Sequence, residues 1–163
     1  MCIRDSPNTA RALVMAMLDA AKFIDTQSNR AKVAELISGP DYVDAPVAVI
    51  EGRFLGNYED GLGKAWHDPH HMKFFNDGKV PFPYLSDGMW FLTQFKRWGL
   101  LKEEPDYLAV AKQINRIELY QQAAAQVNVA VPADVMRSSI LMDGTVWDGK
   151  DPQGYAAGFE VHA

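Results

Sequence analysis

Cysteine is all but absent. Cys2 is the single one in 163 residues, so there is no disulfide framework to read. No apolar run approaches the roughly 18 residues of a membrane-spanning helix. Basic residues do not predominate: 16 Lys and Arg against 21 Asp and Glu leave a net charge of −5. Without a basic stripe to track a phosphate backbone, nucleic acid is not an expected partner. Internal repeats and low-complexity tracts are missing, and alternating runs are weak, which leaves little strand to expect. What remains is 48% hydrophobic and 23% charged, the composition of a globular domain, at a length sufficient for one core.

The first six residues, Met1-Cys2-Ile3-Arg4-Asp5-Ser6, resemble translated sequencing-adapter read-through and are set aside before reasoning about fold. With them goes Cys2, which carries no information about redox compartment or nucleophilic catalysis. The domain is expected to occupy residues 7–163. Leu13, Val14, Met17, Leu18, Ala21 and Ile24 recur at helical spacing and predict one helix from Pro7 to Asp25 with that stripe inward. Pro7 suits the first helical position, where its missing N–H costs nothing. A second helix is expected over Asn29–Ser38, with Val33, Leu36 and Ile37 inward. Gly39, in a left-handed conformation, and Pro40 should stop it. Ala45-Pro46 opens a third.

From Arg53 onward the periodicity is lost. Phe54, Tyr58, Leu62, Trp66, Phe74, Phe75, Phe82 and Tyr84 fall at irregular intervals. So many aromatics bury large areas when packed, so this segment reads as a long ordered loop rather than a disordered one, with a helical turn near Pro69–Phe75. Ser86 then offers an N-cap, with Leu85 and Trp90 placed for a hydrophobic staple. Met89, Leu92, Phe95 and Trp98 make that helix's inner face, and Gly99 ends it. Glu104-Pro105 opens a helix through Gln113, with Leu108, Ala111 and Ile114 inward. Asn115 and Glu118 read as a capping box for a helix through Gln126. Pro132–Arg137 adds a turn of helix, and Asp143-Gly144, Asp148-Gly149 and Asp151-Pro152 read as successive turns.

Motifs for chemistry are weak. In Trp66-His67-Asp68-Pro69-His70-His71, adjacent His70 and His71 point in different directions on any regular element. The spacing of a zinc protease, two histidines on one helical face with a glutamate, is not there. The plain reading is a solvated loop with one buried histidine. Gly61-Leu62-Gly63-Lys64 lacks the Walker spacing and its following Ser or Thr. The Asp-Gly pairs lack the closing glutamate of an EF-hand, and Ser138-Ser139 lacks a nucleophile elbow. No catalytic constellation stands out.

Taken in order, the residues from Asn8 to Val161, most densely FPYLSDGMWFLTQFKRWGLL, resemble the C-terminal part of the solute-binding proteins of nitrate and bicarbonate ABC importers. That resemblance implies a mainly α fragment of an α/β two-lobed periplasmic binding protein (type II), with few short strands and the long aromatic-rich loop. Such proteins are not enzymes; they close around a ligand and deliver it to a membrane permease and its ATPase. The implied ligand is a small inorganic anion, nitrate or nitrite first and bicarbonate second. The implied place is the periplasm, or the outer face of the membrane through a tether. Trp90, Phe95 and Trp98 would be scaffold. No cofactor is implied except calcium in a bicarbonate-type site. In nitrate-binding relatives a basic residue stands at the place of Asp41; in bicarbonate-binding relatives an acidic one holds calcium beside the ligand. Asp41 is therefore the anion-site candidate and, in the bicarbonate reading, the metal-site candidate. The competing reading of the residue itself is a cap for the turn before Tyr42. Two other classes stay open: a cytosolic nitrate or nitrite sensor of the same fold acting on a regulator, and an enzyme resembling the thiamine-pyrimidine synthases. The resemblance lacks most of the two-lobed fold, so this segment alone is expected to bind no anion tightly.

Overall fold

The computed structural model describes residues 5–159. Of the segment set aside above, only Asp5 and Ser6 fall within them. Two compact units divide the chain: residues up to Pro81 together with Gln126–Ala130, and Phe82–Ala125 together with the chain from Val131 onward.

In the first unit, helix α1 spans Pro7–Asp25, with proline in its first turn as the sequence required. A 3-10 turn, Gln27–Asn29, leads into α2, Arg30–Ile37. There the Asn29 amide and the Thr26 hydroxyl donate to Phe23 O and Lys22 O, satisfying carbonyls left over at the end of α1. Helix α3, Val47–Phe54, follows with Pro46 at its N-cap. A small antiparallel hairpin comes next, β1 (Asn57–Glu59) against β2 (Ala65–His67).

The main polar tie of this unit runs through the last residue of α1 and the first of α2. Arg30 is fully buried. Its guanidinium donates to Asp25 Oδ1 at 3.0 Å, to Met72 O at 3.2 Å and to Phe54 O at the end of α3. The Asp25 carboxylate in turn accepts the consecutive amides of Phe74, Phe75 and Asn76, each at 2.9 Å. Burial alone would raise the Asp25 pKa; the amides and Arg30 outweigh it and hold the group below the ordinary carboxylate range. Phe54 and Phe74 then meet edge to face at 5.5 Å. The irregular aromatic stretch is thus ordered, and its backbone is pinned by a buried ion pair as well as by its rings.

The second unit is built on α4, Leu85–Arg97. Leu85, Met89 and Leu92 of α4 pack with Tyr107, Ala111 and Trp147 in one buried cluster. Helices α5 (Tyr107–Asn115) and α6 (Ile117–Gln126) are separated by Arg116 at φ 46°. A second hairpin, β3 (Ser139–Ile140) against β4 (Val146–Trp147), and a short helix α7 (Pro152–Ala157) complete it. The Trp147 indole donates to Ser86 O at 2.8 Å and the Trp90 indole to Tyr155 Oη at 3.1 Å. Phe82, Tyr84 and Tyr120 form an edge-to-face trio. Burial, with Tyr84 beside it, pushes the Tyr120 phenol up to about 12. Burial and the Glu104 carboxylate, which accepts from its hydroxyl, also raise Tyr107.

Several sequence expectations need correcting. Leu13 and Met17 of the α1 stripe are 54% and 47% exposed, while Leu18 and Ala21 of that stripe are buried as expected, joined by Ala10; periodicity marks an apolar arc, and small alanines take the side of closest approach. Phe95 and Trp98 of the α4 stripe, Leu36 on α2, and Leu108 and Ile114 on α5 are likewise exposed. Ser86 lies inside the first turn rather than at the cap, because its hydroxyl is buried and accepts Arg137 N. Leu85 is consequently a helical residue rather than the outer partner of a staple. The α5 cap is Asp106, whose carboxylate accepts Ala109 N. Asn115 forms no capping box: its side-chain amide donates to Pro83 O and Tyr84 O. Residues 132–137 form no helix, nor do residues 69–75. Gly39 is not left-handed; Asp44 takes the positive φ, at 51°. Asp151-Pro152 is the capped start of α7.

Two outcomes follow from this packing. Trp147→Ala should cost about 3–5 kcal/mol, the range for a buried aromatic, and Trp90→Ala, at a half-buried ring, clearly less. Urea denaturation of both variants checks the order. The carboxylate of Asp25 has its pKa depressed by folding, so its stabilisation is present above its unfolded value near 3.8 and is lost as pH falls through the folded one. Asp25→Asn should destabilise the first unit by roughly 3–5 kcal/mol at neutral pH, because Arg30 is left buried without its counter-ion. It should also flatten the stability profile below about pH 4.

Candidate functional site

Asp41 lies on the turn that joins α2 to α3. Backbone bonds shape this turn: Tyr42 N and Asp44 N donate to Gly39 O, and Val43 N to Ile37 O. The Asp41 side chain is exposed, and no hydrogen bond to its carboxylate is seen among the described residues. It therefore does not cap the turn before Tyr42, and no donors converge beside it. It lines neither concavity described below.

One concavity, about 310 Å³, lies in the first unit between α3 and the β1–β2 hairpin, with Val49, Gly52, Arg53, Asn57, Tyr58 and Glu59 on its walls. Arg53 supplies the one cationic side chain of that lining and Glu59 opposes it in sign, so the wall has no net preference for an anion. Another of similar volume lies in the second unit. Trp90, Phe91, Leu141 and Trp147 line it, with the Arg137–Asp87 pair on its rim. That pair is bidentate, at 2.9 and 2.7 Å, and leaves the rim neutral. Trp90, read from sequence as scaffold only, thus lines a concavity as well as packing against the core.

The most anion-like cradle among the described residues is already filled. Three successive amides, Phe74–Asn76, point at one carboxylate, and that carboxylate is Asp25. Sequence reading passed over Asp25 and Arg30; the only available signal was a charged pair bracketing the α1–α2 turn.

The histidines divide as the plain reading held. His67 and His70 are exposed and His71 is buried. Among the described residues no group of three or more His, Cys, Asp or Glu could hold a metal, and no helix is long and apolar enough to cross a membrane.

The helices, short strands and long ordered loop are those of the helix-rich part of a two-lobed periplasmic binding protein. Superposed on the crystal structure of the periplasmic nitrate-binding protein NrtA from Synechocystis PCC 6803, the chain gives a TM-score of 0.87 at 29% identity, over 98% of this chain and 43% of that one. In sequence it is 32% identical to the nitrate/nitrite binding protein NrtA of Nostoc sp., over 98% of its own length and 37% of the relative's. It is 27% identical to the bicarbonate-binding protein CmpA of Synechococcus elongatus, over 95% of its length and 37% of the relative's. The nitrate import ATP-binding protein NrtC of Synechocystis sp. contains a similar segment, 27% identical over 96% of this chain and 23% of that protein. No family model matches the sequence. The chain is homologous along nearly its whole length to the nitrate/nitrite-binding and bicarbonate-binding proteins NrtA and CmpA, and it spans about 37% of the length of those relatives.

Because Asp41 is exposed and unbonded, Asp41→Ala should change stability by no more than about 0.5 kcal/mol, as at an ordinary surface position. A loss near 1 kcal/mol in urea denaturation, typical of a lost cap, would return it to the turn-capping role.

Proposed function

We propose that the chain is part of the solute-binding component of an ABC importer for a small inorganic anion, nitrate or nitrite first and bicarbonate second. The supporting observation is the match to NrtA along nearly the whole chain, in sequence and in fold. Its partners on this reading are the importer's permease and ATPase, and its place is the periplasm, or the outer face of the membrane through a tether. The similar segment in an ATP-binding protein favours a second reading: an anion-sensing domain that acts on a regulator or on an attached ATPase. No observation favours the enzyme reading.

On either reading the anion is gripped by donors outside this segment. A small anion must exchange its hydration shell for several convergent donors, and burial without them costs several kcal/mol. The cradle at residues 74–76 is taken by Asp25, and the α3–hairpin wall carries opposed charges. Asp41 then sets the kind of anion only if it faces the ligand. A bare carboxylate repels an anion, so a bridging cation, calcium in the bicarbonate case, would have to accompany it.

Calorimetry tests this on two proteins. The 163-residue chain should bind nitrate, nitrite and bicarbonate no better than weakly, while a protein that joins it to the rest of the relatives' length should bind one of them tightly. If Asp41 lines that site, bicarbonate binding should vanish with a calcium chelator and Asp41→Lys should move preference toward nitrate. Tight, calcium-independent nitrate binding that Asp41→Ala leaves unchanged would remove Asp41 from the site. No anion binding by the longer protein would overturn the transport reading.

A further inference from the structure

We propose that His67 and His71 form a two-imidazole site for a divalent transition-metal cation of the zinc and copper class. The fold brings these two histidines together, at the end of β2 and just past the following turn, whereas the sequence drew attention to the adjacent pair His70 and His71. Their ring centroids are 6.2 Å apart with the planes tilted by 55°; a metal on an imidazole nitrogen lies about 3.2 Å from that ring's centroid, so the separation admits one shared cation when both Nε2 atoms turn toward it.

Both rings are held in the same way. His71 Nδ1 lies 3.1 Å from Asp68 O, and His67 Nδ1 lies 3.1 Å from Asn57 Oδ1. A carbonyl oxygen only accepts, so each Nδ1 carries a proton, and in the neutral ring the Nε2 lone pair is left free for a metal. An oxygen that fixes the tautomer and aims the far nitrogen is the usual support of a metal-ligating histidine. His71 is 9% exposed, and its Nε2 is buried with no hydrogen-bond partner among the described residues. A buried acceptor left unpaired is costly, and a cation shared with His67 would satisfy it.

The backbone around His71 is fitted to hold the ring in place. Gly56 has φ +80°, and a Cβ there would come within 2.8 Å of His71 Nδ1 and 2.6 Å of Asp68 O. Asp68 N donates to Gly56 O and His71 N to Asp68 O, closing the turn. Since no third protein ligand joins the pair among the described residues, water completes the coordination. The site is therefore open on the side of the exposed His67 ring. Imidazole suits zinc, copper and nickel, and calcium and magnesium prefer oxygen. The site is thus chemically separate from the calcium considered for Asp41, and independent of the transport reading.

The test is a calorimetric titration of the untagged chain with zinc chloride at pH 7.5, in a Cys2→Ser background to remove the one thiol. One zinc per chain should bind. His67→Gln, at an exposed ring, should weaken it at least tenfold, and His70→Gln should leave it unchanged. Two-dimensional NMR of the imidazoles should show two Nδ1–H tautomers, with both Nε2 resonances shifting on zinc addition. No saturable zinc binding would overturn the proposal. So would binding that His67→Gln leaves intact, or a resonance shift confined to His70.

Discussion

The guanidinium of Arg30 has no exposure to water, and a charge in that position is tolerable only if it is paired and hydrogen-bonded. Asp25 answers with its carboxylate, and the carbonyls of Phe54 and Met72 take the remaining donors that have partners. Because those groups come from the end of α1, the end of α3 and the loop beyond the hairpin, satisfying one charge fixes the relative places of all of them. Asp25 extends the constraint to the amides of residues 74–76. The pair's net energy is modest once desolvation is counted. Its consequence is geometric: it specifies one arrangement for a stretch whose sequence has no periodicity of its own.

The second unit is organised by packing, with polar contacts that orient rather than drive it. Leu85, Met89 and Leu92 supply one face of α4, and Ala111, with only a methyl group, lets α5 come close. Ser86, fully buried, both accepts Arg137 N through its hydroxyl and receives the Trp147 indole at its carbonyl. That residue type reads as a cap in sequence because its usual value is at helix ends. Here two distant segments use it instead. The opposite face of α4 leaves Phe91, Phe95 and Trp98 exposed.

Helix positions were largely legible. Pro7 set the start of α1, Pro46 that of α3, and Gly99 the end of α4, each through a backbone property that needs no partner. Which face of a helix is buried was read less well. Leu13, Met17, Phe95 and Trp98 share their helices with truly buried neighbours, and the choice between adjacent arcs depends on what packs there. Both hairpins were missed because strands of two or three residues cannot show an alternation. Asp25 and Arg30 were invisible for a different reason: their importance lies in backbone groups distant in sequence, from Phe54 to Asn76, and amides and carbonyls carry no sequence signature. The same holds for His67 and His71, which a turn brings together.

The resemblance to the anion-binding proteins rests on many residues in order, while the anion site did not follow from any. Asp41 is an exposed turn residue, and the converging amides of this segment hold its own carboxylate. The cradle of amides in this segment is thus satisfied from within, and the Arg30–Asp25 pair, together with ring packing, orders the part of the aromatic stretch it reaches. Amide hydrogen exchange measures this most directly. The amides of Phe74, Phe75 and Asn76, although in a loop, should exchange as slowly as those in the middle of α1. If they exchange at the rate of an unprotected loop while α1 is protected, the ion pair does not organise the unit and the account fails.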